Sequence, residues 1–210
     1  MPVKIDFKKK WKELYQPPID RVVLVEVPDI QYLMVEGQGN PNTSQEYKDT
    51  FGIIYPVAYT LKFMCKPKGK DYVVMPPEAL WWADDMNDFL AGNKDNWKWI
   101  SIMMIPDFIT KELVDEAIKQ VKEKKADELP PMFSKLRFET YREGKAAQLM
   151  HIGPYSEEHA NIMKIHQFIE DQGGKFDGKV WGQHHHEIYL SDPRRNKPEK
   201  MKTVIRQPFV

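Results

Sequence analysis

The stretches "YLMVEGQGNPNTSQEY" (residues 32–47) and "AQLMHIGPYSEEHANI" (residues 147–162) follow the same plan. Each starts on an apolar run, breaks at glycine and proline, and then offers a hydroxyl residue that can open a helix. Leu33-Met34 and Gly37 align with Leu149-Met150 and Gly153 without a gap. A weak internal repeat of this kind is the signature of two copies of one supersecondary unit. In the first copy Thr43 or Ser44 is a candidate helix cap, and Thr43-x-x-Glu46 fits a capping box. In the second copy Ser156 is the candidate cap.

The chain beyond each break extends the repeat. Tyr47, Phe51, Ile54, Tyr55, Ala58 and Leu61 recur at spacings of three and four, which predicts a helix. Pro56 is expected to kink it. Ile162, Met163, Ile165, His166 and Ile169 predict a second helix, stopped by Gly173-Gly174. Two strand candidates trail each helix. In the first half these are "DYVVMPPEALWW" and "NWKWISIMMI", and in the second "HHHEIYLS" and "KTVIRQPFV". Both halves read strand–helix–strand–strand. A third helix, about Asp107 to Lys125, and a strand near Leu136–Tyr141 lie between them. The expected fold class is α+β: an antiparallel sheet with helices on one face and a ligand groove between the halves. Residues 1–27, with the Lys8, Lys9, Lys10 and Lys12 run and Pro17-Pro18, read as an arm packed on the body by Phe7, Trp11 and Leu14. Residues 28–210 are the domain.

Composition narrows the function. Lys+Arg and Asp+Glu are both 31, so the net charge is zero. No basic field is present to neutralise phosphates, and nucleic acid is not the expected partner. Cys65 is the only cysteine, which excludes a disulfide framework. The N-terminus lacks the apolar segment of a signal peptide, and no run approaches the about 18 apolar residues of a spanning helix. A cytoplasmic chain with no membrane partner is expected. Trp 6, Tyr 9 and Phe 10 are a heavy aromatic load, suited to core filling or to the walls of a small-molecule site.

"WGQHHHEIYLSDPRR" (residues 181–195) holds the candidate chemistry. On a strand, side chains alternate between faces. Ile188 and Leu190 would meet the helices, and His185, Glu187 and Tyr189 would look from the helix-free face into the groove. By the same parity Trp97 and Trp99 stand apart from Ile100, Ile102 and Met104, and Trp82 or Trp81 joins the lining. Trp181, Tyr155, Tyr55 and Tyr59 are further candidates for ligand contact. Glu187 and Tyr189 are the candidates for catalysis, because burial among aromatics is expected to raise the pKa of a carboxyl and make it a better base. His184 and His186 could pair as ligands, but a zinc site needs a third and usually a fourth. No metal and no cofactor are expected.

"PPEALWWADD", "NWKWISIMMIPDFIT", "LRFETYREGKAAQLMHIGPYSEE" and "HHHEIYLSDPRRNKPEKMKTVIRQP" together resemble the GyrI-like small-molecule-binding proteins, and more narrowly their stand-alone members. The resemblance spans nearly everything after about residue 28. It implies two strand–helix–strand–strand modules related by a pseudo-twofold axis, with xenobiotic small molecules bound between them. It also implies that Glu187 matches the groove-floor glutamate that meets cationic drugs in the family's transcription regulators. Some stand-alone members are cyclopropanoid cyclopropyl hydrolases, which detoxify DNA-alkylating compounds by opening a strained ring with water. That activity is the leading expectation. Sequestration of drugs without turnover, or interaction with gyrase, are the alternatives.

Overall fold

The structure is a computed structural model that describes residues 4–210, apart from the side chains of Leu90 and Asp127. The first three residues of the expected arm lie outside it. The strands are β1 (Val23–Val27), β2 (Ile30–Gln38), β3 (Glu78–Ala83), β4 (Trp97–Ile105), β5 (Arg137–Tyr141), β6 (Gly144–Ile152), β7 (His185–Tyr189) and β8 (Lys202–Pro208). They form one sheet in the order β1-β6-β8-β7-β3-β4-β2-β5, with all neighbours antiparallel. The order is symmetric about its centre. β2, β4 and β3 of the first half mirror β6, β8 and β7 of the second, and β5 and β1 close the two ends. The halves join where β3 pairs with β7, from Glu78 opposite Ile188 to Trp81 opposite His185.

The helices are the short α1 (Phe7–Lys10) and α2 (Lys12–Tyr15), the long α3 (Gln45–Cys65), then α4 (Met86–Leu90), α5 (Lys111–Lys125) and α6 (His159–Asp171). Ser44 caps α3 by accepting from the Tyr47 N–H at 3.2 Å, and Pro56 sits inside the helix without ending it. The second copy departs from the repeat. Tyr155–Glu157 form a 3-10 turn, α6 starts at His159, and neither Ser156 nor Glu158 caps it with a side chain. α3 packs over β2 and β4, and α6 over β6 and β8. The central pair β3–β7 therefore lies beneath the gap between the helices.

The expected facing of the sheet is reversed. α3 and α6 cover the face that carries Trp97, Trp99 and Glu187, not the face of Ile100 and Ile188. Thr50 of α3 donates to Ser101 Oγ at 2.9 Å, Tyr47 meets Trp99, and Ile165 and Ile169 of α6 pack on Leu149 and Ile205. Ile205 is the register partner of Glu187. Alternation sorts side chains into two sets, but here both sets are buried, so it does not say which set meets the helices. Leu33, Met34 and Val35 are all fully buried, which shows that β2 is covered on both sides.

The arm covers the centre of the other face. Phe7, Leu14 and Tyr15 are buried, and the arm's backbone is held by the sheet. Arg206 donates to the Leu14 carbonyl at 2.9 Å and Gln148 to the Glu13 carbonyl at 2.6 Å. Beneath lies a buried charge network. His186 bridges Glu143 (2.8 Å) and Glu78 (2.9 Å), Arg206 donates to Glu143 at 2.8 Å, and Tyr15 donates to Glu78 at 3.3 Å. Burial opposes the charged imidazole, but Glu143 and Glu78 outweigh it and lift its pKa to about 9. Against the same burial, His186 and Arg206 hold Glu143 near 2.

A histidine raised in the folded state stabilises fully below its ordinary pKa and loses that contribution as pH climbs through the raised value. Stability to denaturant is therefore expected to fall as pH rises from 6.5 to about 9. His186→Gln is expected to flatten that slope. Glu143→Gln, which strips a charge from a buried network, is expected to cost about 3–5 kcal/mol. Denaturant midpoints measured across that pH range check both outcomes.

Candidate functional site

On the helix-bearing face, His185, Glu187 and Tyr189 of β7 lie between Trp81 and Ala79 of β3 and Ile205 and Thr203 of β8. The Glu187 side chain is 13% exposed, so it is sunk under the gap between α3 and α6 yet still reaches solvent. Tyr189 donates its hydroxyl to Glu187 Oε2 at 2.6 Å and accepts from Trp81 Nε1 at 3.1 Å. His185 Nε2 is 3.1 Å from Glu187 Oε1, and Gln207 Nε2 is 3.1 Å from His185 Nδ1. An amide N–H can only donate, so this network assigns Nδ1 as acceptor and puts the ring proton on Nε2, facing the carboxylate.

Aromatic rings enclose the carboxylate. Tyr47, in the first turn of α3, meets Trp81 and Trp99 with centroids 5.3 and 5.1 Å apart. Trp97 stands edge-on to Trp81 at 5.7 Å and is stacked by Phe89 at 4.6 Å. Phe89 also lies 5.4 Å from His185. On the α6 side, Tyr155 is edge-on to Tyr189 at 5.6 Å and remains 41% exposed. Trp99 is fully buried. It lies against Gly37, where a Cβ would come within 2.2 Å of the indole, so glycine in the repeat serves here as room for a ring. Trp99 supports Tyr47 from below rather than offering a free face.

The electrostatics differ from the sequence expectation. Burial does push the Glu187 pKa up, but hydrogen bonds from His185, Tyr189 and Glu158 bring it below the usual carboxylate range. Glu187 is an ionised, anchored carboxylate and not a raised one. The raised carboxyl is Glu158. Burial and the neighbouring Glu187 charge lift it to about 10. Glu158 precedes α6, whose N-terminal dipole favours an anion by about 0.3–1 kcal/mol, less than one pKa unit. That pull is too small to reverse the shift.

The remaining candidates fall into two groups. Tyr55 and Tyr59 belong to a row along α3, Tyr47–Phe51–Tyr55–Tyr59–Phe63, in which successive rings are 5.6 to 6.5 Å apart. The row starts in the groove and runs out to the surface, where Tyr59 is 45% and Phe63 60% exposed. Trp82 and Trp181 stand elsewhere. Trp82 stacks on His184 at 4.3 Å, and Trp181 is edge-on to Tyr141 at 4.9 Å. Trp82 lies on the arm side of the sheet, because the register pairs Trp81, not Trp82, with His185, and Trp181 joins it there through Tyr141 and His184. Glu158, Tyr47 and Phe89 are not singled out by the sequence as site residues, and of the Trp81–Trp82 pair the structure takes Trp81. Tyr47 was visible there as the first member of the α3 stripe. Glu158 was hidden inside what read as a capping segment. The three consecutive histidines have separate fates: His184 hydrogen-bonds the Gly178 carbonyl at 2.7 Å, His185 meets Glu187, and His186 joins the buried network. Among the described residues no cluster of His, Cys, Asp and Glu is arranged to hold a metal ion, and no helix is long and apolar enough to cross a membrane.

The GyrI-like small molecule binding domain family matches residues 107–209. An uncharacterized conserved protein from Listeria innocua is 38% identical, with 99% of this chain and 100% of that one covered and a TM-score of 0.87. A structure described as a hydrolase from Listeria innocua has the same identity and coverage and a TM-score of 0.84. The C-terminal domain of EcmrR shares the fold, at 14% identity and a TM-score of 0.56 over 90% of this chain and 97% of its own. No curated protein matches. The paired modules, the carboxylate-floored gap between them and these likenesses agree: the chain belongs to the GyrI-like small-molecule-binding family.

Proposed function

We propose that this protein binds flat, largely apolar xenobiotics between α3 and α6 and hydrolyses the cyclopropane of DNA-alkylating cyclopropanoid compounds. The observation that carries the reading is an ionised carboxylate, Glu187, held by two hydrogen bonds at the floor of an aromatic enclosure. The hydrolase description of the Listeria innocua relative, 38% identical over its whole length, supports turnover.

The chemistry asks little of the protein beyond position and charge. A water oxygen forms a bond to the cyclopropane CH2, and the ring C–C bond breaks. Its electron pair moves into the conjugated ring and becomes a phenolate. Glu187 accepts the proton lost by the water. Tyr189 has its own proton committed to Glu187, so its role is to aim the base. Tyr155, protonated at neutral pH because burial and Glu187 lift it to about 12, is the phenol placed to hydrogen-bond the developing phenolate. Trp97, Tyr47 and Tyr155 hold the polycycle at attack distance.

Glu187→Gln is expected to lower turnover by about two to four orders of magnitude, measured as product formation from a cyclopropyl alkylating agent in excess over protein. Full turnover by that variant would remove Glu187 from the reaction. If the groove only sequesters, there is no turnover to lose, and the variant instead weakens cationic ligands while sparing neutral ones. Because Glu187 is already ionised, activity is expected to stay level through neutral pH and to fall only as pH drops into the carboxylate range.

Trp97→Ala is expected to weaken a flat aromatic ligand by about 0.5–1.5 kcal/mol through lost stacking. Trp82→Ala, on the far side of the sheet, is expected to leave affinity unchanged. Tyrosine and tryptophan fluorescence titrations of the two variants separate the faces.

A further inference from the structure

Beside Glu187 stands a second carboxyl. Glu158 is only 4% exposed and occupies the position where a side chain would cap α6, yet it makes no capping hydrogen bond. Its backbone N–H is bonded to the Tyr155 carbonyl at 3.3 Å, and Tyr155 is edge-on to Tyr189, the donor to Glu187, so the Glu158 carboxyl is buried beside Glu187. The buried Thr203 hydroxyl on the adjacent strand is its one neutral donor among the described residues, and that donor lowers the Glu158 pKa without outweighing burial and the Glu187 charge. The two acids are unequal. Glu187 receives donors from His185 and Tyr189, and Glu158 receives neither. Two carboxylates in contact among aromatic rings cannot both ionise cheaply, and the proton settles on the one with fewer donors.

Resting on the reading of the gap as a ligand site, we propose that Glu158 holds one carboxyl proton at neutral pH, donates it to Glu187, and releases it when an organic cation occupies the groove. The pair, rather than Glu187 alone, then sets the charge of the ligand that is accepted. A neutral polycycle meets a single negative charge and leaves the proton in place. A planar monocation supplies the field that stabilises the second ionisation, so the groove answers with a second negative charge. The other titratable or charged groups facing Glu158 are His185 and Tyr189 on β7, Tyr155 in the turn before α6, and Lys94, whose ammonium lies 5.3 Å over Trp97. Lys94 is a resident cation whose charge favours ionisation of Glu158. An incoming cation adds to its effect. The lifted pKa of Glu158, about 10, agrees with a proton held through neutral pH.

This assignment makes Glu158 a specificity-determining residue, and it has a stability signature opposite to that of a structural one. A carboxyl raised in the folded state stabilises fully below its ordinary value of 4.5 and loses that contribution as pH rises through about 10. Glu158→Gln needs no proton, so near neutral pH it is expected to raise Tm and to flatten the decline of stability toward alkaline pH. A structural hydrogen-bonding role predicts a lowered Tm.

The direct test reads the proton. Isotope-edited infrared spectroscopy of glutamate-labelled protein at neutral pH is expected to show a protonated-carboxyl band that disappears in Glu158→Gln. Calorimetry with ethidium, a flat monocation, in buffers of different ionisation heat is expected to show release of a fraction of one proton by the wild type and none by Glu158→Gln. Pyrenemethanol, flat and neutral, is expected to release none from the wild type. A wild-type spectrum without the band, a band that survives Glu158→Gln, or ethidium binding without proton release overturns the proposal. If neither probe binds, the ligand-site reading and the coupled release both fail, and the infrared band still decides whether the proton sits on Glu158.

Discussion

The pairing of β3 with β7 is the constraint on which the rest of the molecule depends. Each module alone would end in an open strand edge with unpaired backbone groups. Joined from Glu78–Ile188 to Trp81–His185, the two edges close each other into one continuous sheet. Because neighbouring residues on a strand face opposite ways, the same pairing sends His186 to one side and Glu187 to the other. A one-residue slip would exchange them, placing the ionised Glu187 in the buried network and His186 among the tryptophans. Register at this joint therefore fixes the hydrophobic core and the site together.

The two faces treat charge differently. Beneath the arm, Glu78 and Glu143 are matched by His186 and Arg206, with hydrogen bonds at 2.8 to 2.9 Å. That set is balanced and closed, and Tyr15 and the Leu14 carbonyl complete it. Between the helices the balance is missing. Glu187 and Glu158 adjoin each other, the His185 and Tyr189 donors support only one of them, and the ammonium that acts on Glu158 belongs to the half-buried Lys94. Buried polar groups left unmatched are costly in a fold, and they gather where a ligand supplies what is lacking. This asymmetry separates the helix side from the arm side, although both carry buried histidine and glutamate, and it is the ground on which the ligand site is proposed there.

The aromatic residues divide along the same boundary. Trp81, Trp97, Tyr47, Tyr155 and Tyr189 meet around Glu187, whereas Trp82 and Trp181 gather about His184 and Tyr141 on the far side. Trp99 belongs to neither surface. It is a fully buried support whose size is accommodated by Gly37 on the next strand. The aromatic row on α3 continues the groove outward, so that Tyr55 and Tyr59 stand progressively farther from the carboxylate and nearer to solvent.

The sequence by itself determined the two-module plan, because a repeat with shared breaks at Gly37 and Gly153 is a local, one-dimensional signal. It also determined that His185, Glu187 and Tyr189 share a face, since strand parity depends only on spacing. It carried α3 and narrowed its cap to Thr43 or Ser44, of which the structure takes Ser44. Only the tertiary structure decided which face the helices cover, because Ile100, Ile102 and Met104 are as buried under one layer as Trp99 is under the other. It alone decided that Trp81 rather than Trp82 joins the site, which depends on the β3–β7 register. It alone brought Glu158 to Glu187 across 29 residues of chain, and with that contact it set which carboxyl is ionised. A pKa belongs to the donors and charges around a group, and those arrive from β3, β8 and the turn before α6 only when the sheet has closed.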